Sequence, residues 1–206
     1  MLDERWDEQE RQLADGLRTV LAKECTPEHV RESEATGPLE SLEAALENFG
    51  LWDLGDDVGL LTVAWWELGR ALTPVSMSRV EVSGVERRIL ASARLVGASE
   101  ALLDVGVAYA KEREQFGQPI GAFQAVAHKL VDCAIAVDGA GLLVKKAAWL
   151  ARDGDDATTL AAMARWKATQ AGRLTATHVH QVMGGYGFAI EENCQLYSRR
   201  IRAWAA

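Results

Sequence analysis

The stretch EREQFGQPIGAFQAV, residues 112–126, decides how this chain is to be read. It lies between two long helical segments. It holds an arginine, an aromatic ring, a Gly-x-Pro-x-Gly turn, and Phe-Gln at the mouth of the next helix. A plain connector between helices needs only glycine, proline and polar filler. Arg113 lies where a helix ends, a placement compatible with the helix dipole. Its planar fork of five donors suits a phosphate. Phe116 can stack on a base or fill a hole. Gln124, in the first turn of the next helix, can donate or accept hydrogen bonds. On composition alone the same three residues also read as a surface arginine, a core phenylalanine and a solvated glutamine.

Working outward, residues 84–112 form one long helix with Leu95, Leu102, Val105 and Tyr109 on one face. After the corner, a helix over 121–152 carries Phe123, Ala127, Leu130, Ala134, Val137, Gly141, Val144 and Ala148 at alternating steps of four and three. That is a heptad seam in which large and small residues alternate. DGDD, residues 153–156, breaks this helix and caps the next, from about 156 to 183. A last helix starts near 190. Two helices of about thirty residues are each ~45 Å long at 1.5 Å per residue, and short corners between long helices make an antiparallel bundle.

The front of the chain reads as shorter helices. Residues 3–23 set Trp6, Leu13, Leu17, Val20 and Leu21 among charges, a one-sided apolar stripe. TPEHV offers Thr26 as N-cap and Pro27 at the first helical position. PLESLEAALENFG is a short helix stopped by Gly50, and VGLLTVAWWELGRAL is another that ends before Pro74. The one β-like stretch is VSMSRVEVSGV, residues 75–85. The expectation is an all-α chain: an N-terminal helical domain over 1–74, a connecting segment over 75–84, and a C-terminal antiparallel four-helix bundle over 85–206.

Composition narrows the function classes. A net charge of -8 over 206 residues disfavours nucleic acid and anionic membrane surfaces as partners. No apolar run approaches the ~20 residues that cross a bilayer. The charged N-terminus has no signal-peptide core, so a soluble, cytoplasmic protein is expected. Cys25, Cys133 and Cys194 are odd in number and far apart, with no zinc-like spacing, and are expected to be reduced thiols.

The second stretch that can carry chemistry is HVHQVMGGYGF, residues 178–188. Gln181 ends a helix face, and Gly184-Gly185 follow. Glycines there usually form a left-handed C-cap, and they also let another molecule approach bare backbone. Gly185-Tyr186-Gly187 follows a helix and lacks a third glycine, which excludes a Rossmann fingerprint. His178 and His180 lie on different helix faces and read as structural. No metal site is expected, and no Gly-x-Ser-x-Gly is present.

Taken together, YAKEREQFGQPIGAFQAVAHKL and QVMGGYGF resemble the acyl-CoA dehydrogenase family, the first its corner between two bundle helices and the second its later Gln-x-x-Gly-Gly segment. The similarity covers roughly 84–204, and more loosely LWDLGDDVGLLTVAWWELGRAL resembles the family's N-terminal helical domain. The resemblance implies α,β-dehydrogenation of an acyl-CoA thioester. In that reaction a carboxylate takes the α proton and a hydride passes to FAD, held where subunits meet. It implies that Arg113 sits at the FAD pyrophosphate and Phe116 near the adenine end. Gln124 matches a glutamine in the next helix, and Gln181, Gly184 and Gly185 match a second FAD-contacting loop.

Three departures shape the expectation. Only about residues 75–84 stand where the family has its middle β-domain, too few for a sheet domain. The family's bases are not in place either. Arg87 occupies the base position of the first bundle helix, with Glu86 as a neighbouring candidate, and the sequence ends at IRAWAA before the other position. Finally, Arg199-Arg200 stands where the family pattern has Arg-Asp. That variant resembles divergent bacterial members of mixed assemblies, in which one subunit type carries the base, best known from steroid and other bulky acyl-CoA breakdown. The expected protein is a FAD-contacting subunit without its own base, in a hetero-oligomer with a catalytic acyl-CoA dehydrogenase partner. The alternatives are a homo-oligomeric dehydrogenase with further segments, and an assembly relic that binds no flavin.

Overall fold

A computed structural model describes residues 6–37 and 39–206; residues 3–5 of the first expected helix and Pro38 lie outside the described residues. Eight α-helices run in chain order among the described residues: α1 Glu8–Glu24, α2 Pro27–Thr36, α3 Glu40–Asn48, α4 Val58–Arg70, α5 Gly84–Glu112, α6 Gln124–Arg152, α7 Thr158–Met183 and α8 Asn193–Trp204. The fold is all-α apart from one two-residue ladder, β1 Glu114–Gln115 against β2 Gln118–Pro119.

Local chemistry sets the helix starts. Asp7 caps α1 in a reciprocal box with Glu10, and the Thr26 hydroxyl accepts the His29 N–H at the start of α2. Ser83 accepts the Glu86 N–H at 3.2 Å while the Glu86 carboxylate accepts the Ser83 N–H at 2.6 Å, which fixes the start of α5. Gly50, at φ 79°, follows α3 as expected of a stop.

The long helix α5 is the axis of the molecule. It packs on α4, α6, α7 and α8, with Ile89, Leu90, Leu95, Leu102 and their small neighbours fully buried. Helix α4 is buried on nearly every side, from Val58 to Gly69. It crosses α5 with backbones almost touching: a Cβ on Gly69 would run into the Arg94 carbonyl, and one on Gly97 into the Trp66 carbonyl. One hydrophobic core therefore runs from Leu17 of α1 through α4 and the bundle to Ile201 of α8. Glu67 of α4, 2% exposed, is held by a two-pronged bond to Arg18 of α1, at 2.9 and 2.8 Å.

Three expectations are corrected in detail. The stretch 75–85 forms no strand. It makes a 3₁₀ turn at Met77–Arg79 and then runs extended through Val80 with no neighbouring strand to pair with. It is held instead by Arg79, ion-paired to Glu43 at 3.2 Å and lying 4.6 Å over Trp52, and by Arg87, which donates to the Met77 carbonyl. The helix expected from 121 starts at Gln124. Residues Ile120–Ala122 form a 3₁₀ turn pressed on the end of α5, where a Cβ on Gly121 would lie 3.0 Å from the Ala110 carbonyl. Phe123 is therefore an extended cap outside the seam, which starts one turn later. The last helix begins at Asn193, because Gly184–Phe188 coil into 3₁₀ turns first.

Arg94 is the one odd resident of the core. It is 7% exposed and has no carboxylate partner among the described residues. Its guanidinium lies 3.9 Å over Trp204 and 5.4 Å from Trp65, and it donates to the Thr73 carbonyl. Burial and the nearby Arg200 push its pKa down to about 9.

Candidate functional site

The corner after α5 is a β-hairpin and not a plain loop. Phe116 at φ 55° and Gly117 at φ 80° form its two-residue turn, and Glu114 pairs with Pro119 and Gln115 with Gln118. The Ile120 N–H donates to the Arg113 carbonyl at 2.7 Å, closing the hairpin at its base. A left-handed conformation is uncommon for a bulky residue and costs roughly 1–2 kcal/mol. Phe116 bears that cost while standing 93% exposed, its ring edge-on to Phe123 at 6.1 Å between ring centres. Strained backbone positions of this kind cluster at active sites and ligand clamps. Phe116 is thus not the core phenylalanine that composition alone allowed.

Arg113 caps the end of α5 at the foot of the hairpin, exposed and without an ion-pair partner among the described residues. It opens onto a hollow of about 610 Å³ lined by Tyr109, Glu112, Met183, Tyr186 and Glu192. The rings of Tyr109 and Tyr186 stack at 5.8 Å, tying the end of α5 to the turn that follows α7. Tyr186 bonds to Glu192, which raises its phenol pKa. Two carboxylates in this hollow temper its positive potential, so Arg113 carries its attraction for an anion alone.

The turn itself is bare. Gly184 has φ 59° and ψ −140°, a conformation outside the left-handed helical region expected of an ordinary C-cap and open essentially only to glycine. A Cβ on either Gly184 or Gly185 would meet nothing within 4 Å, so their backbone faces open space. On the far side of this turn, Gln181 and Gly184 line a second hollow of about 460 Å³ with His180, Phe188, Gln195 and Arg202. His180 Nδ1 and Gln195 Oε1 are buried there with no hydrogen-bond partner among the described residues. Burial and the nearby Arg202 lower the His180 pKa, and its ring lies 4.9 Å from Phe188. His178 faces elsewhere, with Nδ1 3.2 Å from the Lys129 carbonyl and 3.6 Å from the Cys133 sulfur.

The fold thus brings Arg113 and the 181–186 segment to one end of the bundle, around adjoining hollows. Phe116 and Gln124, both exposed, belong to the hairpin and the first turn of α6 at the same corner. Glu86 is not part of it. It is committed to the Ser83 cap, twenty-seven residues before Arg113 on α5, which is about 40 Å along a helix. Sequence reasoning missed the Tyr109–Tyr186 stack and the contributions of Phe188, Glu192, Gln195 and Arg202. The first carried a signal: Tyr109 is four residues before Arg113 and so shares its helix face.

The acyl-CoA dehydrogenase C-terminal domain matches residues 82–205, which include the corner and the glycine turn. The chain belongs to the acyl-CoA dehydrogenase family. Among its relatives, a probable acyl-CoA dehydrogenase of Bacillus subtilis, YngJ, is 43% identical over 104 residues, covering 50% of this chain and 27% of the relative. Acyl-CoA dehydrogenase FadE34 of Mycobacterium tuberculosis is 38% identical over 135 residues, covering 63% of this chain and 19% of the relative. The chain spans only about a fifth to a quarter of these relatives' length. Butyryl-CoA dehydrogenase from Megasphaera elsdenii superposes with a TM-score of 0.57 at 33% identity, over 58% of this chain and 31% of that one. The fold of nearly the whole chain is matched in the ChsE4-ChsE5 complex from Mycobacterium tuberculosis. There the TM-score is 0.89 at 18% identity, over 98% of this chain and 94% of the other.

Proposed function

We propose that this chain is the flavin-contacting, base-less subunit of an acyl-CoA dehydrogenase that performs α,β-dehydrogenation of an acyl-CoA thioester. Its corner and glycine turn hold the FAD of a catalytic partner subunit. The observation that carries the reading is Phe116, a strained and almost wholly exposed ring at the tip of the hairpin that Arg113 closes, with Arg113 lacking an ion-pair partner among the described residues, at the end of the bundle where Gly184 and Gly185 leave backbone uncovered. These groups fit a dinucleotide. A guanidinium suits a diphosphate, an exposed ring suits a base face, and bare backbone lets the ligand approach closely. FAD complexes are known for the structural relative PigA, 26% identical over 58% of this chain. The hetero-complexes among the structural neighbours support a partner subunit.

In this reading FAD supplies the hydride acceptor when bound. Arg113 neutralises the diphosphate, Phe116 covers the base end, and Gln124 and Gln181 donate and accept hydrogen bonds along the ligand. Proton removal belongs to the partner. Glu86 is engaged as a helix cap and Arg87 stands at the family's base position on α5, its guanidinium on the Met77 carbonyl.

Co-expression with a neighbouring full-length dehydrogenase should yield a yellow complex of both chains. Arg113→Ala should weaken FAD retention by about 10–100-fold, the loss of one charge-assisted contact of roughly 1.5–3 kcal/mol. A colourless complex, or unchanged FAD affinity in the variant, rejects the reading.

A further inference from the structure

Helix α2 reaches the bundle at the start of α8, through two charged residues three apart on one helix face, Arg31 and Glu34. Arg31 Nη2 donates to the Glu191 carbonyl at 2.6 Å and to Asn193 Oδ1 at 3.0 Å. Its Nη1 lies 3.7 Å from Glu28, and its Nε is buried with no hydrogen-bond partner among the described residues. Glu34 holds Arg199 at 2.8 Å and Arg200 at 3.3 Å. The arginine pair that departs from Arg-Asp thus finds its carboxylate on α2.

These contacts are not what α8 would need for itself. A helix start favours negative charge and a side-chain cap. Here a guanidinium grips the first residues, and the N-cap residue Glu192 makes no side-chain cap bond. Glu192 bonds instead to Tyr186, whose ring stacks on Tyr109 of α5, one turn before Arg113. The backbone between is tied in two steps. The Glu192 N–H donates to the Ala189 carbonyl at 3.1 Å, and the Ala189 N–H to the Tyr186 carbonyl at 3.0 Å. Gly184 and Gly185 open this same turn with no side chain of their own to anchor it. Its place is therefore set from the far end, where Arg31 holds it.

We infer that Arg31 is a positioning residue for the glycine turn. From α2 it fixes residues 191–193, and through Glu192 and Tyr186 it keeps the bare backbone of Gly184 and Gly185 in place at the Arg113 end of the bundle. Its role toward the ligand rests on the flavin reading, whereas its hold on the turn stands on the contacts themselves.

Arg31→Met keeps the apolar stem and removes the donors. Hydrogen exchange of the whole chain should then speed up about tenfold at the Ala189 and Glu192 amides, while α5 stays protected. In the complex co-expressed with a catalytic partner, the same variant should weaken FAD retention by about three- to tenfold, less than Arg113→Ala does. Arg31→Lys, with three donors on a shorter arm, should recover most of both effects. Asn193→Ala added to Arg31→Met should weaken retention no further, since the two residues share one contact. An Arg31 that only stabilised the fold would lower the melting temperature and leave FAD retention in the folded complex untouched. Unchanged exchange at the two amides overturns the inference. So does a loosened turn in a complex that keeps FAD as tightly as the parent, or an Arg31→Lys variant that recovers nothing. A colourless parent complex overturns it as well, and there the fault lies with the flavin reading and not with the hold on the turn.

Discussion

Phe116 is where conformation and the proposed function pull in opposite directions. Its left-handed backbone suits asparagine or glycine better than a bulky ring. Phe116→Asn should therefore raise the unfolding free energy by about 1 kcal/mol, since almost no buried surface is lost. The same change should weaken FAD retention by about 5–100-fold, the loss of a base-stacking ring worth ~1–3 kcal/mol. Thermal denaturation and flavin release read on one variant would move in opposite senses. A purely structural Phe116 would move neither flavin affinity nor release. Part of this was legible beforehand: Arg113, Gln181 and the glycine pair were marked by residue type and place in the chain. The hairpin was not, because Phe-Gly lacks the Asn-Gly signature of its turn class. Nor was the Tyr109–Tyr186 stack, a contact across seventy-seven positions in sequence.

At the scale of elements, the start of α2 followed from Thr26 and Pro27, the stop of α3 from Gly50, the span of α5 from its apolar face, and the inward seam of α6 from its heptad spacing. What spacing did not reveal is how tightly α4 docks on α5. VGLLTVAWWELGRAL reads as an apolar helix in a front module, and nothing in its pattern says that Gly69 and Gly97 notch two backbones together. Gly97→Ala should cost about 3 kcal/mol through overpacking against the Trp66 carbonyl. Gly84→Ala, at the open first turn of α5, should be neutral or slightly stabilising, by about 0.4–1 kcal/mol. Chemical denaturation of the pair checks both. Equal effects would mean that the crossing gives way.

For the molecule as a whole, the buried thiols and Tyr197 set its behaviour in alkali. Burial raises the pKa of Cys25 and Cys133, that of Cys194 to about 11, and that of Tyr197 to about 12. A raised folded pKa means that the unfolded chain loses its proton first. The full contribution is therefore present below the ordinary thiol value, and it declines as pH rises toward about 11 for Cys194. The melting temperature should fall across that window, and Cys194→Ala should fall less steeply from its own starting value. Parallel slopes for parent and variant would show that Cys194 does not drive the loss.

The central position of α4 has a practical corollary for anyone cutting this gene. Residues 82–205, the portion that carries the family's signature, leave out the helix that plugs the notched groove along α5. Expressed alone, that segment should bind hydrophobic dyes, show broad tertiary signals and precipitate. Supplying residues 1–81 as a separate polypeptide should rescue it, as a severed protein reassembles from its fragments. A well-behaved excised segment would mean instead that the groove can close upon itself.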